Sequence, residues 1–258
     1  MTIYYSILIF FFGLIIGSFA NVCIYRLPLN KQIISGRSFC PKCKKKIAWY
    51  DNIPLISFIL LLGTCRKCKK EISIKYFLVE LISGISFVYL FLNYSNYFEI
   101  FFLQTLTIIF LVVFFVDLKH FIIPDTLNFT LMGLAILKNF ISNFESNFTY
   151  DLNQSIVGGI IGYSIIWLII YLYKKIKNVE AMGFGDAKLM AAIGFLFGWQ
   201  SVIFILFLSA ILGLISVIPS LLNNSKNLKT KIPFGPYIII SSIIYYFKGI
   251  YLINFIII

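Results

Sequence analysis

Long apolar runs, separated by short polar segments, recur along the whole sequence. Their lengths suit helices that cross a membrane better than the core of a water-soluble domain. They predict eight spans, near residues 3–22, 76–92, 98–116, 121–141, 154–173, 187–198, 200–219 and 233–247. Since the first run has neither a basic region before it nor a small-residue cleavage signature after it, we expect it to be retained. The pattern therefore predicts an all-α polytopic membrane protein embedded in the lipid bilayer.

The distribution of basic residues predicts the orientation of these spans. The chain is 60% hydrophobic and carries a net charge of +12, and 12 of its 22 lysines and arginines lie in residues 26–75. If that segment is cytoplasmic, all basic residues except Lys138 and Lys248 fall on the same side, as the positive-inside rule requires. Eight spans then leave both termini outside. The charge thus indicates membrane topology, and we expect no nucleic-acid partner.

The spans and the polar segment divide the sequence into three parts. Residues 1–25 form the first transmembrane helix, and residues 26–75 form a cytoplasmic loop domain. Residues 76–258 form a seven-helix membrane domain. This third part carries the candidate catalytic aspartates, Asp117 and Asp186.

Four cysteines in the polar segment are spaced like the ligands of a structural zinc ion. Two C-x-x-C pairs, separated by 21 residues, are Cys40 with Cys43 and Cys65 with Cys68. Each pair has the geometry to give two thiolates to one tetrahedral Zn²⁺, with no position left open for water. Neighbouring lysines and arginines favour the thiolate form. A disulfide is disfavoured in a lysine-rich loop that faces the reducing cytosol, although a metal-free or redox role remains an alternative.

Glycine pairs four residues apart occur in three of the predicted spans. They are Gly13 and Gly17, Gly158 and Gly162, and Gly194 and Gly198. This spacing lets two helices approach closely, so we interpret these pairs as packing contacts.

Two aspartates at the ends of apolar segments are the candidate catalytic residues, because a carboxylate at such a position is costly. Asp117 ends an uninterrupted apolar run, and Asp186 follows Gly183 and Gly185 at the start of another. The glycines give the backbone freedom and leave room for a peptide to approach. A helix N-cap is the simpler interpretation of Asp186, and an interfacial carboxylate near Lys119 is the simpler interpretation of Asp117.

Four other charged residues are candidates to support this site: Asp125, Glu80, Lys188 and Glu180. Asp125 follows Pro124 at a turn into the fourth span and is either a helix cap or a supporting residue. Glu80 lies inside the second span and must find a partner or hold a proton. Lys188 follows Asp186 closely in sequence. A packing or capping role is an equally good interpretation of Glu80, Lys188 and Glu180.

Two neighbouring aspartates have the chemistry of an aspartic protease. Both cannot ionise cheaply, so one holds a proton while the other activates a water molecule for attack on an amide. The protonated member polarises the carbonyl and then protonates the leaving nitrogen. His120 is the single histidine in the sequence, so catalytic or metal sites that need several histidines are disfavoured.

Motifs along most of the chain resemble those of the type IV prepilin peptidases, a GxGD-type intramembrane aspartic peptidase family. They occur in the family's order and comprise residues 17–22, the cysteine region 40–80, Val116-Asp117 with Ile123-Pro124-Asp125, residues 181–188 and residues 233–236. The resemblance implies that Asp117 and Asp186 are the catalytic pair. It implies cleavage after a glycine in a prepilin or pseudopilin, whose short basic leader lies at the cytoplasmic face.

The same resemblance implies a second activity and a location. Family members with the four-cysteine loop usually methylate the new amino terminus with S-adenosylmethionine. No glycine-rich nucleotide motif is present, so the residues that bind this methyl donor stay unassigned. The resemblance also implies residence in the bacterial inner membrane. Burial of the substrate's apolar stem between spans is expected to contribute more to affinity than charge does.

Other functions fit fewer of these features. A peptidase without methyl transfer fits the acids equally well. A proton- or cation-coupled transporter would use Asp117, Asp186 and Glu80 to bind ions, but it gives the cysteine loop no role. A membrane-anchored zinc module for protein contacts leaves the two aspartates unexplained.

Overall fold

The computed structural model describes residues 2–34, 36–140, 152–178, 182–222 and 232–257. Within these ranges the protein is built of α-helices and has no β-strand, which confirms the predicted all-α class. The helices are α1 Thr2–Arg26, α2 Ile56–Leu60, α3 Ile74–Asn93, α4 Tyr97–His120, α5 Asp125–Phe140, α6 Leu152–Lys177, α7 Phe184–Leu222 and α8 Gly235–Ile257. Two 3₁₀ turns, Leu27–Leu29 and Trp49–Asn52, lie within the polar segment of residues 26–75.

Five helices in the described ranges are long and apolar enough to cross a membrane: α1, α3, α4, α6 and α7. A multi-pass membrane protein is therefore confirmed, whereas the count of eight spans remains a prediction. The predicted spans near 187–198 and 200–219 both belong to α7. Gly198 interrupts this helix with φ of 74°, at the boundary between the two predicted segments. The span predicted from residue 121 begins as a helix only at Asp125, after Pro124.

The chain forms two compact units, Met1–Val112 and Val113–Ile258. In the first unit, α1 packs closely against α3 through small residues. A Cβ on Gly13 would lie 2.9 Å from the Cα of Gly84, and one on Gly17 would lie 2.9 Å from the Cα of Glu80. The Oγ of Ser83 donates a 2.7 Å hydrogen bond to the carbonyl of Gly13. The packing role of this glycine pair is confirmed. The division of the sequence into residues 1–25, 26–75 and 76–258 remains a prediction.

In the second unit, α7 packs against α5, α6 and α8. Close contact between α6 and α7 again depends on glycine. A Cβ on Gly162 would lie 2.6 Å from the carbonyl oxygen of Met190, and Gly158 faces Gly194 directly. The first half of α7 is almost wholly buried, with Leu189, Met190 and Ile193 at 0% exposure. This fixes the position of the α7 start, where Asp186 lies.

Candidate active site and metal centre

Asp117 lies one turn before the end of α4, and its side chain is only 4% exposed. Its Oδ2 accepts a 2.9 Å hydrogen bond from the backbone N–H of Gly235, the first residue of α8. The start of a helix favours a negative charge because its first N–H groups lack partners within the helix. This contact explains how a carboxylate is tolerated at the end of an apolar helix.

Gly235 leaves no space for a side chain beside Asp117. A Cβ there would lie 2.8 Å from Oδ2 of Asp117 and 3.1 Å from Cδ1 of Ile123. Gly235 belongs to the motif at residues 233–236, but its role beside Asp117 was not predicted from the sequence. A glycine between two prolines at the beginning of a helix was the available signal for a close backbone approach.

Asp186 lies in the first turn of α7 and is 8% exposed. Its Oδ2 accepts a 3.2 Å hydrogen bond from the N–H of Gly183, and its own N–H donates to the carbonyl of Gly183 at 3.1 Å. Asp186 is therefore the third residue of α7. Its side chain accepts a hydrogen bond from Gly183, the residue just before the helix, as the Glu or Gln of a capping box does. The helix-start contact expected from the sequence exists, but Asp186 is not the N-cap itself.

Ile123 connects the two glycine-containing segments. A Cβ on Gly185 would lie 3.2 Å from the Cβ of Ile123, whose other side lies against Gly235. Asp186 follows Gly185 directly, and Asp117 binds Gly235. Both acids are therefore linked to Ile123 through a neighbouring glycine. The second unit therefore brings both predicted catalytic acids to the same region.

Asp125 and Lys188 form an ion pair. Asp125 follows Asp117 in the sequence, and Lys188 follows Asp186. The Nζ of Lys188 lies 2.7 Å and 2.8 Å from the two carboxylate oxygens of Asp125. The pair joins the first residue of α5 to the first turns of α7. Both side chains are partly exposed, at 54% for Asp125 and 34% for Lys188, so the pair contributes little to overall stability. Its effect is to hold two helix starts together.

Glu80 belongs to the first unit. Its Oε2 accepts a 2.9 Å hydrogen bond from the N–H of Leu55, and the side chains of Ser18 and Asn21 also hydrogen-bond to it. The sequence predicted that Glu80 either has a partner or holds a proton, and one of its partners is the backbone amide of Leu55 in the loop. Glu180 lies outside the described residues.

The four cysteines form one cluster in the first unit. Their sulfurs all lie within 4.8 Å of one another, and the Sγ atoms of Cys40 and Cys68 are 3.9 Å apart. Four thiolates around Zn²⁺ at about 2.3 Å place sulfurs roughly 3.8 Å apart, so the cluster fits this ion. No pair is a disulfide among the described cysteines.

Two similar turns supply the ligands. In the first, the N–H of Cys40 binds the carbonyl of Lys45 at 3.0 Å, and that of Lys44 binds the carbonyl of Cys40 at 2.8 Å. In the second, the N–H of Cys65 donates to the carbonyl of Lys70 at 3.0 Å, and the N–H of Lys69 donates to the carbonyl of Cys65 at 2.8 Å. Lys44 and Lys69 also share a left-handed backbone, with φ of 57° and 56°. Each C-x-x-C pair is therefore already shaped as a metal-binding turn.

The thiols of the second turn differ in acidity. A hydrogen bond from the backbone of Cys68 lowers the pKa of Cys65 to about 7. The backbone of Lys70 acts to lower the pKa of Cys68, but desolvation and the neighbouring sulfurs raise it to about 11. A divalent cation at the centre would favour the thiolate form of all four.

Comparison with known proteins supports a single family over most of the chain. Residues 11–94 match the family model described as Bacterial Peptidase A24 N-terminal domain, and residues 104–218 match Type IV leader peptidase family. Several relatives are named prepilin leader peptidase/N-methyltransferase. That of Vibrio cholerae serotype O1 is 36% identical over 95% of this chain and 97% of its own. Those of Legionella pneumophila and Pseudomonas aeruginosa are 31% and 30% identical, over 94% and 89% of this chain and 91% and 85% of theirs.

No solved structure matches the chain significantly. The two family matches together include the cysteine cluster, Asp117 and Asp186. With a relative 36% identical over nearly its whole length, the chain belongs to the type IV leader peptidase family.

Proposed function

We propose that this protein removes the basic leader from type IV prepilins and pseudopilins and methylates the amino terminus it exposes. The observation that carries the peptidase reaction is the burial of Asp117 and Asp186 in the second unit, where Gly235, which binds Asp117, and Gly185, which precedes Asp186, both lie against Ile123. The names of the relatives support both activities.

Asp117 and Asp186 act together on a water molecule and the scissile amide. Each has one carboxylate oxygen held by a backbone N–H, from Gly235 and Gly183. Within the described ranges the other oxygen of each acid accepts no hydrogen bond, which leaves it to act on water or substrate. Because neighbouring carboxyls share a proton, one member takes a proton from the attacking water. The other donates a proton to the leaving nitrogen.

Gly183, Gly185, Asp125 and Lys188 support this pair by position. The glycines let the segment before α7 lie against Ile123. The ion pair between Asp125 and Lys188 holds the starts of α5 and α7 together. Glu80 lies in the first unit, where it hydrogen-bonds to the N–H of Leu55 and the side chains of Ser18 and Asn21. Its support of the acid pair stays a prediction.

Zinc holds the two cysteine turns as a structural ion, with all four positions filled by Cys40, Cys43, Cys65 and Cys68. The methyl donor is S-adenosylmethionine, which supplies an electrophilic methyl group on a positively charged sulfur. The chain lies in the bacterial inner membrane with the cysteine loop in the cytoplasm and both termini outside, as the positive-inside rule indicates.

Coexpression with a prepilin tests both activities in one measurement. Mass spectrometry of the mature amino terminus reports whether the leader is removed and whether one methyl group is added. A cleaved but unmethylated product would restrict the function to the peptidase. An intact leader with wild-type enzyme would overturn the proposal.

A further inference from the structure

The first unit contains a cavity of about 490 Å³ that the peptidase chemistry does not use. Helices α1 and α3 form one side of it, and the polar loop between them forms the other. Its volume falls within the roughly 300–1,000 Å³ of small-molecule sites. A cavity of this size beside the four-cysteine cluster needs an explanation beyond folding of the loop.

Aromatic side chains line much of this cavity. Trp49 and Tyr50 contact each other edge to face, with ring centroids 5.7 Å apart. They are 74% and 50% exposed although they belong to a loop of an otherwise membrane-embedded protein. Exposed aromatic faces at a cavity are suited to stacking on a purine base, which is worth about 1–3 kcal/mol per base in nucleic-acid sites.

The two acids that line the cavity differ in their partners. Within the described part of the chain, Asp51 pairs with the guanidinium of Arg66, with oxygen–nitrogen distances of 2.7–3.0 Å. Glu80 instead makes its contacts with neutral groups, the N–H of Leu55 and the side chains of Ser18 and Asn21. Its negative charge is therefore available to a positively charged ligand.

Basic residues complete the lining on the loop side, among them Arg37, Lys45 and Lys67. The cavity thus offers aromatic faces, a carboxylate that lacks a cationic partner in the described chain, and cations. S-adenosylmethionine has the complementary groups. Its purine can stack on the aromatic faces, its sulfonium and ammonium can bind the carboxylate, and its own carboxylate can bind the cations. A nucleotide with several phosphates would place negative charge against Glu80 and fits less well.

We propose that this cavity is the S-adenosylmethionine site, with Glu80 binding the positively charged part of the methyl donor and Trp49 stacking on its adenine. This inference rests on the proposed methyl transfer. In that reaction a neutral amine nitrogen of the cleaved substrate forms a bond to the methyl carbon, the carbon–sulfur bond breaks, and S-adenosylhomocysteine leaves. The amine proton passes to solvent before the attack.

Direct binding of radiolabelled S-adenosylmethionine to the purified full-length chain tests the site without any turnover. Glu80→Gln and Trp49→Ala are expected to weaken binding by about tenfold or more each, as loss of a charged hydrogen bond or of a stacking partner does. Glu71→Gln and Leu60→Ala are matched controls. Both residues are exposed in the same loop, lie outside the cavity lining and should leave binding unchanged.

Leader cleavage and zinc content show whether each variant is folded. A glutamine at position 80 can still accept the hydrogen bond from Leu55, so the fold should persist. Normal S-adenosylmethionine binding by both cavity variants would overturn the site, and would leave the proposed function intact. A raised KM for prepilin with unchanged donor binding would assign the cavity to the leader peptide instead.

Photocrosslinking of the labelled donor to wild-type protein gives a second test that needs no variant. We expect the label on the peptide that contains Trp49 and Tyr50. Label confined to residues 113–258 would overturn the site. Wild-type protein that cleaves prepilin but neither binds nor uses the donor would refute the methyl-transfer part of the proposed function together with this inference.

Discussion

Gly158 of α6 and Gly194 of α7 lie backbone to backbone, so that a Cβ on either would meet the carbonyl oxygen of the other. No flexible side chain stands between them to move aside. The contact fixes α6 against the buried half of α7, whose first turn carries Asp186. Helix packing and placement of an acid thus depend on the same pair of glycines.

Gly194→Val is expected to destabilise the protein by at least about 1–3 kcal/mol, since overpacking of a close contact has costs of this size. Thermal inactivation of cleavage in detergent measures the loss. Gly133→Val is the matched control, because a Cβ at Gly133 has no atom within 4 Å. Equal inactivation temperatures for the two variants would contradict the packing role.

Asp117→Asn and Asp186→Asn should each lower the rate of leader cleavage by at least about 100-fold, because each removes a group that transfers protons. Asparagine keeps a carbonyl oxygen that can accept the bond from Gly235 or Gly183, so the protein should still insert and fold. The mass of the prepilin after coexpression measures cleavage. Substantial activity in either variant would remove that residue from the pair.

Gly235→Ala is expected to reduce cleavage by about 10- to 100-fold, since displacements near 1 Å in an active site have effects of this order. The added Cβ would lie 2.8 Å from Oδ2 of Asp117 and must push the carboxylate or the start of α8 away. Gly133→Ala, which fills open space within α5, should keep full activity. Measured kcat for the two variants decides whether the fit at Gly235 matters.

Breaking the ion pair between Asp125 and Lys188 should have only a partial effect. Asp125→Asn or Lys188→Met is expected to change unfolding free energy by about 0–1 kcal/mol, as partly exposed pairs do. Cleavage should fall by less than in the Asp117 and Asp186 variants. The double variant should lose little more than either single one. Complete inactivity of Asp125→Asn would instead make Asp125 a catalytic acid.

Replacing any cluster cysteine should remove the bound metal, because a structural zinc site needs its full ligand set. We expect about one zinc per purified chain and none after Cys65→Ser. Cys23→Ser, which lies in α1 outside the cluster, is the control and should retain the metal. Faster proteolysis of the loop in Cys65→Ser would show that the ion stabilises its fold. Normal zinc content in this variant would exclude the proposed ligand set.

Apolar periodicity predicts the long helices well because lipid admits few other structures. The predicted runs near 3–22, 76–92 and 98–116 all fall inside α1, α3 and α4. The predicted boundary between the spans 187–198 and 200–219 coincides with the interruption of α7 at Gly198. The five-residue helix α2 was not predicted, because it is made by loop contacts and not by a repeating pattern.

The candidate acids could be found from sequence since charged residues at the ends of apolar runs are rare here. The hydrogen-bond partners of these acids could not be predicted from the sequence. The hydrogen bond from Gly235 to Asp117 joins residues 118 positions apart, and no local pattern encodes such a contact. The same limit applies to Glu80, whose amide partner comes from a loop residue 25 positions away.

The bond to Asp117 also orders events during biosynthesis. Translation proceeds from the amino terminus, so both acids are made and inserted before the helix that supplies the Gly235 amide. Until α8 is made, the Asp117 carboxylate therefore has no access to the backbone N–H that it binds in the folded protein.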